Sequence, residues 1–264
     1  MENSKSPARV GRFLGVVLGV ALVAAASFYA VDVEAEDMPT AAELLKAMDN
    51  NLQFESRTST ATMQVIDSRR TRTYKMVSHG RGETEAAIEY LAPEREKGTK
   101  MLKNGDNMWI YMPRAERVQK ISGHMLRQGM MGSDISYEDM MDQSDFLDAY
   151  DATVEASIEV DGRSTWKLVA IAKDETVTYP KRIMWVDKEA YMPLKQELYA
   201  LSGMLLKSWT MSDIQEIQGK QVAMKMEIVD ELKKGSKTVL ITNELKFGVD
   251  IADEVFSMRW LERK

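Results

Sequence analysis

Residues 221–230 read QVAMKMEIVD and residues 238–247 read TVLITNELKF, with Lys234-Gly235 between them. In the first run Val222, Met224, Met226 and Ile228 alternate with Ala223, Lys225, Glu227 and Val229. A strand turns successive side chains to opposite faces, so this spacing gives one apolar face and one mixed face. A helix would scatter the same residues around its circumference. Two such runs joined by a short glycine-containing turn predict an antiparallel hairpin.

The signature repeats toward the N-terminus. Residues 205–214, 193–199 and 182–187 are short strand-like runs, with Gln218-Gly219 and Ser202-Gly203 at turn positions. Residues 154–160 and 165–172 flank Asp161-Gly162, and residues 100–103 and 107–112 flank Asn104-Gly105-Asp106. Both are hairpin turn sequences, because Asn, Asp and Gly accept positive φ at low cost. Residues 58–67, 71–78 and 84–91 complete the series, punctuated by Arg81-Gly82 and Ala92-Pro93. About a dozen strands with hairpin-length connections predict a meandering antiparallel sheet in one domain. Met108, Ile110 and Met112 share a face, opposite Trp109 and Tyr111. Trp166 and Leu168 share another, as do Ile183 and Trp185, and these stripes are expected to face one common interior.

Two segments depart from this pattern. Residues 39–51 predict a short amphipathic helix, with Thr40 as N-cap, Glu43 three residues on, and Leu44, Leu45 and Met48 at helical spacing. Between residues 122 and 150 the alternation stops. Gly123, Gly129 and Gly132 are interspersed with Met125, Leu126, Met130 and Met131, and residues 136–141 can start a short helix. A connection this long inside a domain is usually functional or mobile; the plainer alternative is a helix that plugs the end of the sheet.

The N-terminus reads as an export signal. Arg9 and Arg12 precede an uncharged run from Phe13 to Tyr29, and Val33 and Ala35 fit the small-residue positions before a cleavage site. Residues 1–35 are therefore expected to be a signal peptide, with residues 36–264 the working domain. The same run, near the short limit for crossing a bilayer, also fits an uncleaved anchor. Both readings place residues 36–264 across the inner membrane, with Arg9 and Arg12 left inside.

Composition narrows the function. The net charge is −6, which disfavours nucleic acid as a partner. The absence of cysteine removes disulfides, thiolate metal sites and lipid modification of the chain itself. His79 and His124 stand alone, and neither HExxH nor GxSxG occurs. Ser164-Thr165-Trp166-Lys167 matches the S-x-x-K string but enters a strand, whereas that chemistry needs the lysine one helical turn away. No catalytic residue, metal or cofactor is expected. Eight of the 20 methionines fall between residues 101 and 141. Methionine repacks around variable apolar shapes, which suits acyl chains; it equally fills gaps in an ordinary core.

The stretch from Leu91 to Asp139 carries a resemblance. It contains Pro93-Glu94-Arg95-Glu96-Lys97-Gly98-Thr99, then Trp109-Ile110-Tyr111-Met112-Pro113 and Arg117-Val118-Gln119-Lys120-Ile121-Ser122. Met131-Gly132-Ser133-Asp134-Ile135-Ser136-Tyr137-Glu138-Asp139 follows. In order and spacing this resembles the outer-membrane lipoprotein-sorting family, the LolA-like group. The resemblance implies a mainly β fold with some α, an incomplete antiparallel β-barrel in which a strongly curved sheet is covered on one side by helices (LolA/LolB-like). It implies carriage of lipid or lipoprotein acyl chains through the periplasm in an apolar cavity, between an inner-membrane exporter and an outer-membrane acceptor. An accessory or sensor subunit of a lipid exporter is the alternative. Candidate lipid contacts are Met101, Met108, Ile110, Met112, Met125, Leu126, Met130, Met131, Trp166, Trp185, Met224 and Met226, with Arg95 at the mouth. Residues 123–132 are the candidate lid. At about 0.8 kcal/mol per methylene, a sixteen-carbon chain gains roughly 12 kcal/mol gross, so release needs a cover that costs energy to move.

Overall fold

A strand's hydrogen bonds must be met by neighbours, and here thirteen strands meet them in one antiparallel sheet. The computed structural model describes residues 38–52, 54–141, 146–175 and 177–263. The expected export segment, residues 1–35, lies outside them. The first six strands are β1 (Ser56–Ile66), β2 (Thr71–Arg81), β3 (Glu85–Ala92), β4 (Lys100–Asn104), β5 (Asn107–Met112) and β6 (Arg117–Ile121). The next four are β7 (Tyr150–Val160), β8 (Arg163–Ala172), β9 (Lys181–Asp187) and β10 (Pro193–Tyr199). The last three are β11 (Leu205–Ile217), β12 (Lys220–Asp230) and β13 (Lys237–Phe247). The opening hairpin is β12–β13, as its alternation predicts.

Strand order is β6-β5-β4-β3-β2-β1-β13-β12-β11-β10-β9-β8-β7. Every neighbour is consecutive in sequence except β1 and β13, whose ladder joins the two meanders. The sheet is curved and does not close, leaving β6 and β7 as its edges. A bulge in β13 opposite Thr60/Ala61, with Asn243 the extra residue, and another in β7 at Glu155 interrupt the register and bend the strands locally.

The inner face can be followed across the sheet by register. Leu168 pairs with Met184, Met184 with Gln196, Gln196 with Trp209, and Trp209 with Ile228. The row continues through Thr238 on β13. Beyond it Met63 pairs with Tyr74, Met76 with Tyr90, Ile88 with Met101, and Met101 with Ile110. Helix α1 (Ala41–Leu52) covers one end of this face, burying Leu44, Leu45 and Met48 against Trp166, Leu168, Met184 and Val186. Its start is a capping box: Thr40 Oγ1 accepts from Glu43 N at 3.2 Å, and Glu43 Oε2 accepts from Thr40 N at 2.8 Å.

The segment between the edges covers the other end. It holds 3-10 turns at Gly123–Arg127 and Met130–Gly132, then α2 (Tyr137–Met141) and α3 (Phe146–Ala149). A further helix, α4 (Met258–Glu262), lies on the outer face. There Phe256 and Leu261 bury Ala87, Leu102 and Tyr111. Nothing in the local sequence pattern marks this outer layer.

One expectation fails on the register. Trp185 pairs with Lys167 and Lys195, on the face opposite Trp166, and Lys195 Nζ lies 4.5 Å from its ring centroid. Met184 and Val186 take the inner positions instead. Both faces of β9 are apolar, so alternation alone could not select one.

The turn from β9 to β10 is tied by a buried carboxylate. Asp187 accepts from Arg163 Nε at 2.6 Å and Nη2 at 3.0 Å, and from the main-chain N–H of Ala190 at 2.7 Å and of Glu189 at 3.0 Å. Burial raises the pKa of Asp187, but the hydrogen bonds from Arg163, Ala190 and Glu189 outweigh it and hold the group below its ordinary 3.8. A carboxylate depressed in the fold stabilises it above the unfolded pKa and loses that contribution as pH falls through the folded value. Asp187→Asn is expected to lower stability by about 2 kcal/mol at neutral pH. The deficit should shrink as pH falls below about 4, read by urea denaturation across the acid range.

Candidate functional site

The covering segment is a small closed structure before it touches the sheet. Met130 N donates to Ile135 O at 2.8 Å, Tyr137 N to Gln128 O at 3.1 Å, and Gly129 bridges Ser136. Two glycines are required here. A side chain on Gly129 would place Cβ 1.9 Å from Ser133 O, and Gly132, at φ +73°, would place one 2.8 Å from Arg72 Nη1.

Polar anchors then fix this unit to three strands. Arg72 on β2 donates to Met131 O and Gly132 O, each at 3.1 Å, and Tyr74 Oη donates to Met131 O at 3.2 Å. Asp134 is buried against β13, accepting from Thr238 Oγ1 at 2.8 Å and from Ser236 Oγ at 2.9 Å. Its main-chain N–H donates to Thr238 Oγ1 at 2.9 Å. Asp139 meets Lys207 of β11 in an ion pair whose side chains are 2% and 12% exposed. Asp139 also accepts from Tyr179 Oη at 2.5 Å and from Ser136 N at 2.7 Å. Ser136 Oγ accepts from Asp139 N at 3.1 Å, so Ser136 and Asp139 form the capping box that starts α2. The resembling string from Met131 to Asp139 is therefore the anchoring string of the cover.

Beneath these anchors lies the methionine-rich part of the core. Met101, Met108 and Ile110 are buried with Met130 and Tyr137, and Met112, Met125, Leu126 and Met131 pack against them. Eight of the expected contact residues thus come together. Met224 and Met226 also lie on the inner face, at the middle of the sheet, where Trp209, Met211, Met226 and Leu240 remain partly exposed. Trp166 is on the inner face but under α1. Arg95 is 76% exposed and pairs with Glu96 at 3.4 Å, which gives it no contact with this face.

The space under the cover is filled by side chains in this conformation. Met63, Tyr90, Met101 and Met108 are each at most 2% exposed. A surface cavity of about 260 Å³ lies instead on the outer face, beside Lys100, Tyr111 and Pro113. Met125, Leu126, Met130 and Met131 of the cover pack on this part of the inner face, where the resemblance implies an apolar cavity. The Tyr90 hydroxyl is fully buried there with no hydrogen-bond partner among the described residues, and burial pushes its pKa far up. Periodicity cannot show such a group, since a tyrosine and a phenylalanine read alike on an apolar stripe.

No metal cluster of three His, Asp or Glu side chains occurs among the described residues. No described helix is long and apolar enough to cross a membrane. Ser164 and Lys167 lie on opposite faces of β8, and Lys167 pairs with Glu155 at 2.9 Å.

A family model described only as "-like: Uncharacterized protein" matches residues 82–263. None of the curated proteins compared matches the sequence. Three solved structures share the fold over most of the chain. A DUF1329 family protein from Desulfovibrio piger is 25% identical, with TM-score 0.76, covering 83% of this chain and 96% of its own. A domain from Vibrio parahaemolyticus described as an outer-membrane lipoprotein-sorting protein is 25% identical, with TM-score 0.74, covering 84% and 97%. A LolA superfamily protein from Nitrosomonas europaea is 23% identical, with TM-score 0.69, covering 85% and 100%.

The anchors hold the cover with a measurable energy. Removing one partner of a buried ion pair strands the other charge, at about 3 kcal/mol. Asp139→Ala is expected to lose that amount in urea denaturation. Hydrogen exchange should show the loss of protection concentrated in residues 123–141 rather than spread over the sheet.

Proposed function

The chain belongs to a LolA-like family, with a family model matched over residues 82–263, and on that premise we propose that it is a periplasmic carrier of acyl chains. Residues 1–35 direct its export, and residues 36–264 hold lipid, or the lipid part of a lipoprotein, on the way toward the outer membrane. An inner-membrane exporter as donor and an outer-membrane acceptor are the partners this role requires. No step of the role needs a reacting side chain or a cofactor.

One observation supports this reading above the others. A largely apolar face runs across the sheet, and what lies over its methionine-rich end is a separately closed segment tied to the strands by side-chain hydrogen bonds and by the ion pairs of Asp139 with Lys207 and Asp134 with Lys233. A core intended to stay shut gains nothing from such an arrangement, since apolar packing alone would close it. Residues 123–132 act as the lid. When the lid leaves, an acyl chain replaces Met125, Leu126, Met130 and Met131 over Met101, Met108, Ile110 and Met112. Flexible methionine side chains on both surfaces let one site accept chains of different length and shape.

Native mass spectrometry of the purified protein tests this directly. Acyl-lipid adducts are expected. Met226→Lys, on the partly exposed middle of the inner face, should abolish them, while Ile171→Lys on the exposed outer face of β8 should not. A protein that carries no lipid and takes none up from vesicles of phosphatidylethanolamine and phosphatidylglycerol would refute carriage.

A further inference from the structure

The middle of the inner face is not uniformly apolar. Lys207 and Trp209 lie two residues apart on β11, across from Leu198 and Gln196 of β10. Tyr179 stands beside them, its ring centroid 5.8 Å from Lys207 Nζ, with its carbonyl held by the Tyr150 hydroxyl at 3.0 Å. Three donors therefore lie on this part of the sheet: an ammonium, a phenol O–H and an indole N–H. The Asp139 carboxylate takes the first two. The third, Trp209 Nε1, is buried with no hydrogen-bond partner among the described residues.

The division of these groups between lid and sheet matters. Lys207, Tyr179 and Trp209 belong to the sheet and its connections, whereas Asp139 travels with the cover through its capping box with Ser136. Moving the cover removes the one carboxylate among the described residues that Lys207 touches and leaves three donors along a row that holds Met211, Met226 and Ile228. An unpaired ammonium at the edge of an apolar face is unfavourable, so the open state calls for another anion at that position. Asp230, the other acid in this row, is paired with Lys233 at 2.9 Å. Arg182, on the far side of Leu198, places its guanidinium 5.4 Å from the Tyr179 ring centroid. Burial and the neighbouring Asp139 hold the Tyr179 phenol far above its ordinary pKa, so it remains a donor.

Resting on the carrier reading above, we infer that Lys207, Tyr179 and Trp209 form the headgroup site for an anionic amphiphile, and that Asp139 occupies this site as a built-in substitute while the cover is shut. The ligand class is an acyl chain ending in an oxyanion, either a carboxylate or a phosphate. The ammonium and phenol take its charged oxygens, the indole N–H donates to a further oxygen, and the chain runs over Met211 and Met226. Loading is then an exchange of one oxyanion for another at Lys207, which couples arrival of cargo to departure of the cover. A neutral acylated anchor would leave Lys207 unpaired, so the site selects against it.

The test compares three probes with the same chain: laurate, dodecyl phosphate and dodecanol. Each is titrated against the purified protein to displace the neutral fluorophore N-phenylnaphthylamine. The two anions are expected to displace it at about tenfold lower concentration than dodecanol, the worth of a charge-assisted hydrogen bond. Laurate ahead of dodecyl phosphate would indicate a fatty acid, and the reverse order a phospholipid. Lys207→Met should bring the ratio of anion to alcohol close to one. Asp139→Asn, which keeps the size of the side chain and removes the competing charge, should raise the ratio, and its melting temperature checks that the fold persists. Equal displacement by all three probes in the natural protein, or a ratio that neither variant moves, would overturn the headgroup site while leaving carriage intact. If no probe displaces the fluorophore, carriage fails and takes the site with it.

Discussion

The ladder between β1 and β13, running from Arg57 opposite Phe247 to Ile66 opposite Lys237, is the contact on which the architecture depends. Every other strand pairs with its neighbour in sequence and would form a local meander in any case. By joining the first strand to the last, this ladder turns two meanders into one sheet and makes β6 and β7 its outer edges. Those two strands are consecutive in the chain. Whatever links them must therefore run between the open edges, and the linking segment becomes the cover by topology rather than by insertion.

That placement shapes the energetics of the cover. Its apolar residues bury the methionine core, and its polar residues reach strands far away in sequence. Net hydrogen bonds contribute about 1 kcal/mol each, so the polar ties add to the apolar burial of Met130 and Tyr137 in holding the cover. The buried pair of Lys207 and Asp139 adds an electrostatic tie, because separating it leaves a charge that must be met again.

Much of the fold is legible in the sequence. The Asp161-Gly162 and Asn104-Gly105 turns, the alternation in β12 and the capping box at Thr40 are each written in a few adjacent residues, and each is found where expected. The break between residues 122 and 150 marked the cover, and its methionines do meet Met101, Met108 and Ile110. The errors have a common cause. Trp185 was assigned to the wrong face because Ile183 and Trp185 are as apolar as Met184 and Val186, and only pairing with Lys167 and Lys195 decides between them. Arg95 gave no clue that its contacts stop at Glu96.

The sequence by itself determined the strand count to within one or two, the hairpin turns, the two-faced character of the strands and the existence of an irregular, methionine-rich connection. These are local properties, fixed by backbone preference and by the period of the apolar residues. Only the tertiary structure decided that Asp134 closes on Thr238, that Asp139 meets Lys207 and Tyr179, and that residues 253–262 line the outer face. Those contacts span tens to more than a hundred residues, and no periodicity encodes them. They exist because the closing ladder of β1 and β13 brings the strands that carry them beneath one segment.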